Sequence, residues 1–364
     1  MAHGELPPLN ITSGAIRFNT DSMKLEYFRI GMEGGATSSY AGIGTMAAGE
    51  WVQLTTDSPD IQTGGTRGVI GAGYANPGVN ITTIDFVTIS TTGNATDYGD
   101  LTDARASHTA LSSRTRAVFA CGYSPGDVNT IDFITIASGG TGTVFGENTA
   151  SGNNGARYAP AGLSNSTRGL IGGGQSVPGA TMYTDITYIT IAQTGNSVDF
   201  GDLNTGGSDG GACSNSTRGI FAGGSPSPGH NVMDFVTINT LGNATDFGDL
   251  NGSNNRKSHG GGASATRGIF GGFGPTASNA IDYITIPTLG NALDFGNLTT
   301  TLKHGAACSS VNRCIWSGGY RGGSKSDTID YIQIQTLGDA IDFGDLTDDP
   351  HYHAACSNGH GGLG

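Results

Sequence analysis

The chain has 364 residues, of which 63 are glycine and only 13% are charged, and its formal net charge at pH 7 is −13. Glycine reaches positive φ without steric cost but weakens helices, so this composition excludes a mainly helical protein and favours short strands joined by tight turns. The acidic balance excludes nucleic acid as a partner, since such proteins present clustered Lys and Arg to phosphates. No run approaches the roughly 20 apolar residues that membrane insertion requires.

Residues 1–60 are predicted to form a small β module. Residues 13–29 (SGAIRFNTDSMKLEYFR) indicate a hairpin and residues 49–56 (GEWVQLTT) a returning strand. The pattern G-x-I-R-F-N-T…K-L-E…W-V resembles a small module common in phage tail and fibre proteins. The resemblance implies a virion protein at the phage particle surface, in the tail, whose residues 1–60 contact other virion proteins. It also implies a homo-oligomer, whose number of chains the sequence leaves open.

Residues 61–364 contain six copies of one repeat. An arginine after a polar turn marks each copy, at Arg67, Arg116, Arg168, Arg218, Arg267 and Arg313, with spacings of 49, 52, 50, 49 and 46 residues. Each copy holds an apolar run such as GIFAGG, a second run such as TIDFVTI, a third such as TDFGDL and a small-residue run such as SHTALS. The alternation of β-branched or aromatic with polar residues predicts four strands per repeat. Six such repeats predict an all-β, six-bladed β-propeller.

The order of elements resembles the Kelch repeat, in which an Arg/His-containing inner strand precedes an apolar strand ending in a glycine pair. Arg105 with His108, or Arg256 with His259, precede the inner strand, and Gly223-Gly224 is one glycine pair. Phe or Tyr in DFGDL replaces the late Trp of Kelch blades. The resemblance covers residues 61–358 and is carried mainly by the periodicity.

The ring is predicted to close through its C-terminal strand. The first repeat begins at Arg67 without an inner strand, and the last outer strand is followed by HYHAACSN (residues 351–358), an inner strand without its own repeat. We therefore expect residues 351–358 to complete the first blade and to remove an unpaired sheet edge.

Three of the five cysteines, Cys213, Cys308 and Cys356, occupy one repeat position that elsewhere holds Leu111, Leu163 and Ala263. A position shared by Cys, Leu and Ala is a small buried apolar position. We therefore expect buried thiols in preference to disulfides or metal ligands.

We interpret the recurring charged residues as having structural roles. Residues three apart on a strand, as in Asp199/Asp202, point to opposite faces, so calcium binding is the weaker alternative, and the sequence leaves it open. The second-strand aspartates are predicted to pair with the repeat arginines, such as Arg67 and Arg218. The repeated histidines are likewise predicted to be structural, and no metal site or cofactor is expected. The residues that carry this interpretation are Asp85, Asp132, Asp234, Asp282, Asp330, His108, His259, His304, His351 and His353.

Ligand binding is predicted on the face that carries the long, variable loops, since the opposite face has only short turns. Recognition residues are usually found where sequence varies on a rigid scaffold, and aromatic rings beside polar groups suit sugars. The candidate ligand-binding residues are Tyr74, Tyr123, Tyr183, His230, Phe273, Tyr320 and Arg321.

No nucleophile elbow, metal-binding helix motif, P-loop or dinucleotide fingerprint is present in the sequence, so no catalytic residue and no enzyme activity is predicted. The leading hypothesis is a phage tail fibre or appendage protein whose propeller recognises a host-surface glycan or protein receptor. The alternatives are a purely structural decoration or connector protein of head, neck or tail and, least favoured, a polysaccharide-cleaving enzyme.

Overall fold

A computed structural model describes residues 15–19, 24–30, 49–53, 66–150, 152–177, 181–225, 230–252, 256–257, 260–274 and 276–363. The chain divides into two compact units, Met1–Ser58 and Pro59–Gly364. In the first unit, strands β1 (Ile16–Asn19), β2 (Lys24–Ile30) and β3 (Gly49–Gln53) form an antiparallel sheet with β2 in the centre. Within the described residues, no helix is long and apolar enough to span a membrane.

The second unit is a six-bladed β-propeller, which confirms the predicted fold. Each blade is an antiparallel sheet of four strands, named below from the inner to the outer strand. Blade 1 contains β29 (Ala354–Ser357), β4 (Arg67–Ala75), β5 (Val79–Thr88) and β6 (Thr96–Asp100). Blade 2 contains β7 (Thr109–Ser112), β8 (Arg116–Ala120), β9 (Thr130–Thr135) and β10 (Thr143–Glu147). Blade 3 contains β11 (Ala161–Ser164), β12 (Arg168–Gly172), β13 (Asp185–Thr190) and β14 (Val198–Asp202).

The remaining blades repeat the pattern. Blade 4 contains β15 (Gly211–Ser214), β16 (Arg218–Gly224), β17 (His230–Thr237) and β18 (Thr245–Asp249). Blade 5 contains β19 (Gly260–Ala263), β20 (Arg267–Gly271), β21 (Ser278–Thr285) and the long β22 (Leu293–Lys303). Blade 6 contains β23 (Ala306–Ser309), β24 (Arg313–Ser317), β27 (Thr328–Gln333) and β28 (Ile341–Asp345), while β25 (Tyr320–Arg321) and β26 (Ser324–Lys325) extend the sheet of blade 5. Short 3-10 turns span Asn153–Gly155 and Gly361–Leu363.

The C-terminal strand closes the ring, as predicted. β29 pairs antiparallel with β4, with Ala354 opposite Gly71 and Ser357 opposite Gly68. The first and last segments of the propeller therefore share one sheet, and the inner edge of blade 1 is not left open.

The hydrophobic core lies between the blades. Among the described residues, each of six clusters joins side chains from two neighbouring blades, and the cluster between blades 6 and 1 completes the circle. A side chain of one blade fills the space beside a glycine of the next: a Cβ added to Gly219 would lie 2.5 Å from Leu163 Cδ1, and one added to Gly268 would lie 2.7 Å from Cys213 Sγ. The blades therefore pack by complementary size.

All five cysteines are free and buried, which confirms their predicted apolar role. Burial raises the pKa of Cys121 to about 11 and that of Cys356 to about 12, so these thiols are kept protonated. The predicted equivalence of Ala263 with the cysteine position is wrong by one residue. Gly262 pairs with Ile269 as Cys213 pairs with Ile220. Cys314 of blade 6 supplies the missing bulk, since a Cβ on Gly262 would lie 2.6 Å from its Sγ.

The repeat arginines hold neighbouring blades together, and the prediction that they pair with the aspartates of the second run of the repeat is wrong. Each guanidinium lies over the aromatic residue of the third strand of its own blade and donates to a backbone carbonyl of the next blade. Arg218, for example, lies 4.8 Å from the Phe235 ring centroid and donates to Ile286 O at 2.9 Å. The six carbonyl acceptors belong to Ile136, Ile191, Ile238, Ile286, Ile334 and Ile89.

The aspartates of the third strands, which belong to the second run of the repeat, have different partners. A Thr or Asn that follows the outer strand of the preceding blade donates to the carboxylate, as from Thr347 Oγ1 to Asp85 at 2.7 Å. In three blades an arginine outside the repeat position adds an ion pair: Arg105 with Asp132 at 2.5 Å, Arg256 with Asp282 at 3.7 Å and Arg321 with Asp330 at 2.6 Å. The carboxylates thus fix the contact between blades, and they do so without the repeat arginines.

Candidate functional site

The two faces of the propeller differ in their loops. The connections between the second and third strands and between the outer and next inner strands emerge on one face, which we call the long-loop face. Pairs of backbone hydrogen bonds hold these loops in place. Tyr74 and His351 are joined by two such bonds (2.9 and 3.1 Å), and so are Tyr123 and Ala106 (2.8 and 3.0 Å). The loops of blades 1 and 2 therefore stand on a fixed base.

A groove of about 700 Å³ lies on this face between the loops of blades 1, 2 and 3. Two of the candidate ligand-binding residues line it, Tyr74 with 37% of its surface exposed and Tyr123 with 39%. Val79 and Val177, both largely exposed, add apolar surface. We call this depression the aromatic groove, and sequence reasoning anticipated two of its rings.

Three further rings of the groove were not among the ligand-binding residues predicted from the sequence. Tyr158, His351 and Tyr352 also line it. The His351 ring stands edge-on to Tyr74 at 5.2 Å between centroids and lies 5.1 Å from Tyr352. No pattern along the chain shows this, because the C-terminal segment reaches the groove only when it completes blade 1.

Tyr320, Tyr183 and His230 are partly buried and lie outside the lining of the groove. The Tyr320 ring packs edge-on against His351, a lining residue of the groove, with centroids 4.7 Å apart. The guanidinium of Arg157 covers Tyr183 at 4.4 Å from the ring centroid. Burial lowers the pKa of His230, so its imidazole is neutral at pH 7.

Phe273 and Arg321, also candidate ligand-binding residues, are both buried. Phe273 is only 2% exposed in the cluster between blades 4 and 5, beneath the guanidinium of Arg256. Arg321 is buried and makes its ion pair with Asp330 while donating to Trp316 O at 3.1 Å. A variable loop position in the sequence therefore does not by itself mark an exposed side chain.

The histidines of the inner strands are neutral and lie between blades. Burial lowers the pKa of His304 and of His353 to about 3 and that of His351 to about 4. His353 contacts Ser317 Oγ of blade 6 at 2.9 Å. His259 lies outside the described residues. Among the residues that are described, no three His, Cys, Asp or Glu side chains come together in an arrangement that could hold a metal ion.

The acidic pairs of the outer strands serve local contacts. The Asp97 carboxylate accepts the Gly99 N–H at 3.1 Å, and the Asp100 carboxylate accepts the Thr82 hydroxyl at 2.7 Å. Neither pairs with an arginine in the part of the chain that the structure describes.

The geometry therefore offers an aromatic groove on the long-loop face, supported by a rigid ring of blades. Searches with the sequence against models of protein families and against curated proteins gave no match.

Proposed function

We propose that this protein is a phage virion component of the tail-fibre or appendage type, and that its propeller recognises a saccharide on the host surface. The observation that carries the proposal is the aromatic groove, where Tyr74 and Tyr123 present partly exposed rings around a depression of about 700 Å³. Aromatic faces stack on the apolar faces of sugar rings, while neighbouring polar groups hydrogen-bond the hydroxyls. The Kelch-like repeat pattern and the phage-type pattern in residues 1–60 support the same interpretation.

Rigidity of the site supports recognition. Tyr74 and Tyr123 are held by paired backbone hydrogen bonds, so little conformational entropy is lost when a ligand binds. The net charge of −13 favours a neutral or cationic ligand over an acidic polysaccharide.

The test is binding of the full-length chain to arrayed glycans and to host cells. We expect saturable binding that Tyr123→Ala weakens at least tenfold and Tyr123→Phe leaves nearly unchanged, because the phenyl ring keeps the stacking surface. Leu289→Ala is the matched control, since Leu289 is 58% exposed and lies in a turn on the opposite face. A folded protein that binds no glycan and no host cell overturns the proposal.

The second candidate is a purely structural role in the particle, and exposed apolar side chains on the short-turn side favour it. Leu241, Leu289, Leu293, Leu337 and Ile341 are each more than half exposed. Apolar side chains that stay exposed on one side of a folded protein are candidates for protein contacts. Under this alternative, Leu289→Ser with Leu337→Ser blocks incorporation into particles, whereas Tyr123→Ala does not. We propose no catalytic activity, and incubation with the bound oligosaccharide should leave its chain length unchanged.

A further inference from the structure

The mouth of the central channel on the long-loop face is ringed by residues in a left-handed conformation, one from each of five blades. Ser107, Ala159, Asp209, His304 and Tyr352 have φ between 51° and 58°. The position in blade 5 falls outside the described residues. Backbone hydrogen bonds link successive members: Ala159 N to Ser107 O at 2.6 Å, Asp209 N to Ala159 O at 2.9 Å, Ser107 N to Tyr352 O at 2.7 Å and Tyr352 N to His304 O at 2.9 Å. The mouth is therefore a rigid frame that carries side chains of very different chemistry.

Two sides of this frame face each other. Tyr352 and His304, from adjacent blades, pack with ring centroids 4.1 Å apart and ring planes tilted by 37°, and they share a contact of 3.2 Å between the phenol oxygen and Nε2. Asp209 stands three blades away from Tyr352, across the mouth. Burial raises the pKa of Asp209 to about 6 against the smaller opposing effect of the Lys257 charge, and its carboxylate makes no hydrogen bond with the residues that the structure describes. Two aromatic rings thus lie opposite a carboxylate that lines the mouth and makes no hydrogen bond with the described residues.

Below the frame lies a small cavity of about 130 Å³, lined by Asp209, His304, Tyr352 and mostly glycine and alanine from the inner strands. A protein cavity of about 150 Å³ is large enough to hold a single benzene-sized ring. The cavity below the frame therefore has room for a group of about that size rather than for a chain.

The other end of the channel is closed by the C-terminal tail. Leu363 is 2% exposed, and the Arg114 guanidinium donates to its carbonyl at 2.6 Å. A Cβ on Gly361 or Gly362 would lie 2.2 Å from Ser264 O or 2.1 Å from Ser164 O, so the tail packs directly onto the ends of the inner strands. In the part of the chain that the structure describes, the tail therefore blocks the channel, and a ligand that enters the mouth ends there.

The mouth is continuous with the aromatic groove. Ser107 and Tyr352 line both. Ring contacts run from Tyr74 through His351 and Tyr352 to His304 without a gap larger than 5.2 Å between centroids. A chain that lies along the groove is therefore led to the mouth.

We propose that the channel mouth is an end-recognition subsite for the terminal, uncharged sugar of the saccharide, with Tyr352 stacking on the sugar ring and Asp209 accepting hydrogen bonds from its hydroxyls. This inference rests on the proposed function and adds that the protein recognises one end of the saccharide. A carboxylate acceptor opposite an aromatic face suits a polyhydroxyl ring. It disfavours an acidic terminal sugar, because like charges repel across a small, partly desolvated space.

The test is an array of neutral and acidic oligosaccharides, followed by competition with the methyl glycosides of the terminal sugars. For the wild-type protein, we expect the bound glycans to share one neutral terminal sugar, whose methyl glycoside competes. Asp209→Asn should lose at least tenfold in affinity, and Tyr352→Phe should lose less, since it keeps the stacking ring. Asn tolerates the left-handed conformation of residue 209, so Asp209→Asn should keep the melting temperature of the wild type. Asp246→Asn, on an exposed outer strand, is the matched control.

The outcomes separate the two proposals. If the wild-type protein binds no glycan, the proposed function fails and this subsite fails with it. If the wild type binds but Asp209→Asn binds equally well, or if the bound glycans share an internal sequence and differ at their ends, the end-recognition subsite alone is overturned.

Discussion

The interface between blades 3 and 4 allows the size complementarity of the blades to be measured. Leu163 is 4% exposed and fills the space opposite Gly219, whose added Cβ would lie 2.5 Å from Leu163 Cδ1. The backbone of Gly219 is not left-handed, so Gly219→Ala costs stability through the clash, about 1–3 kcal/mol. Leu163→Ala leaves a cavity instead and costs about 2–5 kcal/mol. Both variants should lower the free energy of unfolding.

The double variant distinguishes this packing argument from a general loss of core. With Leu163 truncated, the methyl group introduced at position 219 enters vacated space, so the double variant should be at least about 1 kcal/mol more stable than the sum of the two losses. Urea denaturation followed by circular dichroism measures each free energy of unfolding. The effect of alanine on the unfolded chain is the same in both backgrounds and cancels. Additive losses would refute the reasoning. At the interface of blades 5 and 6 the sizes are reversed: the earlier blade supplies the glycine, Gly262, and the later blade supplies the larger side chain, Cys314.

Other consequences of the structure can be tested in the same way. Arg218→Met should lower stability by about 2 kcal/mol, because Ile286 O loses a charge-assisted donor and a cation–π contact is lost; unchanged melting would show that the ring of arginines is dispensable. Truncation after Leu346 removes β29 and should give aggregated protein, so a soluble, cooperatively melting product would contradict the role of that strand in closing the ring. Burial lowers the pKa of His360 to about 4. The unfolded chain therefore binds the proton first as the pH falls below about 6.5, and this histidine should remove about 2 kcal/mol of stability by pH 5. His360→Asn should reduce the difference between urea midpoints at pH 7 and pH 5; an unchanged difference would assign the acid sensitivity to other groups.

The repeat pattern determined the fold. Six arginines at nearly constant spacing, each followed by runs of period two, require six four-stranded units, and the unpaired segment at residues 351–358 requires closure by the C-terminal strand. These features are local or periodic, and a period along the chain translates directly into equivalent places in the ring. Burial of the cysteines could be predicted in the same way, because equivalent positions of other repeats hold leucine.

Which side chains meet was decided by the tertiary structure. The repeat arginines and the aspartates of the neighbouring strand are close in sequence, yet the arginines reach carbonyls of the next blade and the aspartates are held by residues of the preceding blade. Phe273 and Arg321 occupy variable loops like Tyr74 and Tyr123, but the first two turn inward and the last two remain exposed. The groove and the channel mouth combine residues near position 74 with residues near position 352, because closing the ring brings the two ends of the propeller chain into one blade. Sequence patterns report the alternation within a strand, whereas contacts between blades depend on the angle at which neighbouring sheets pack.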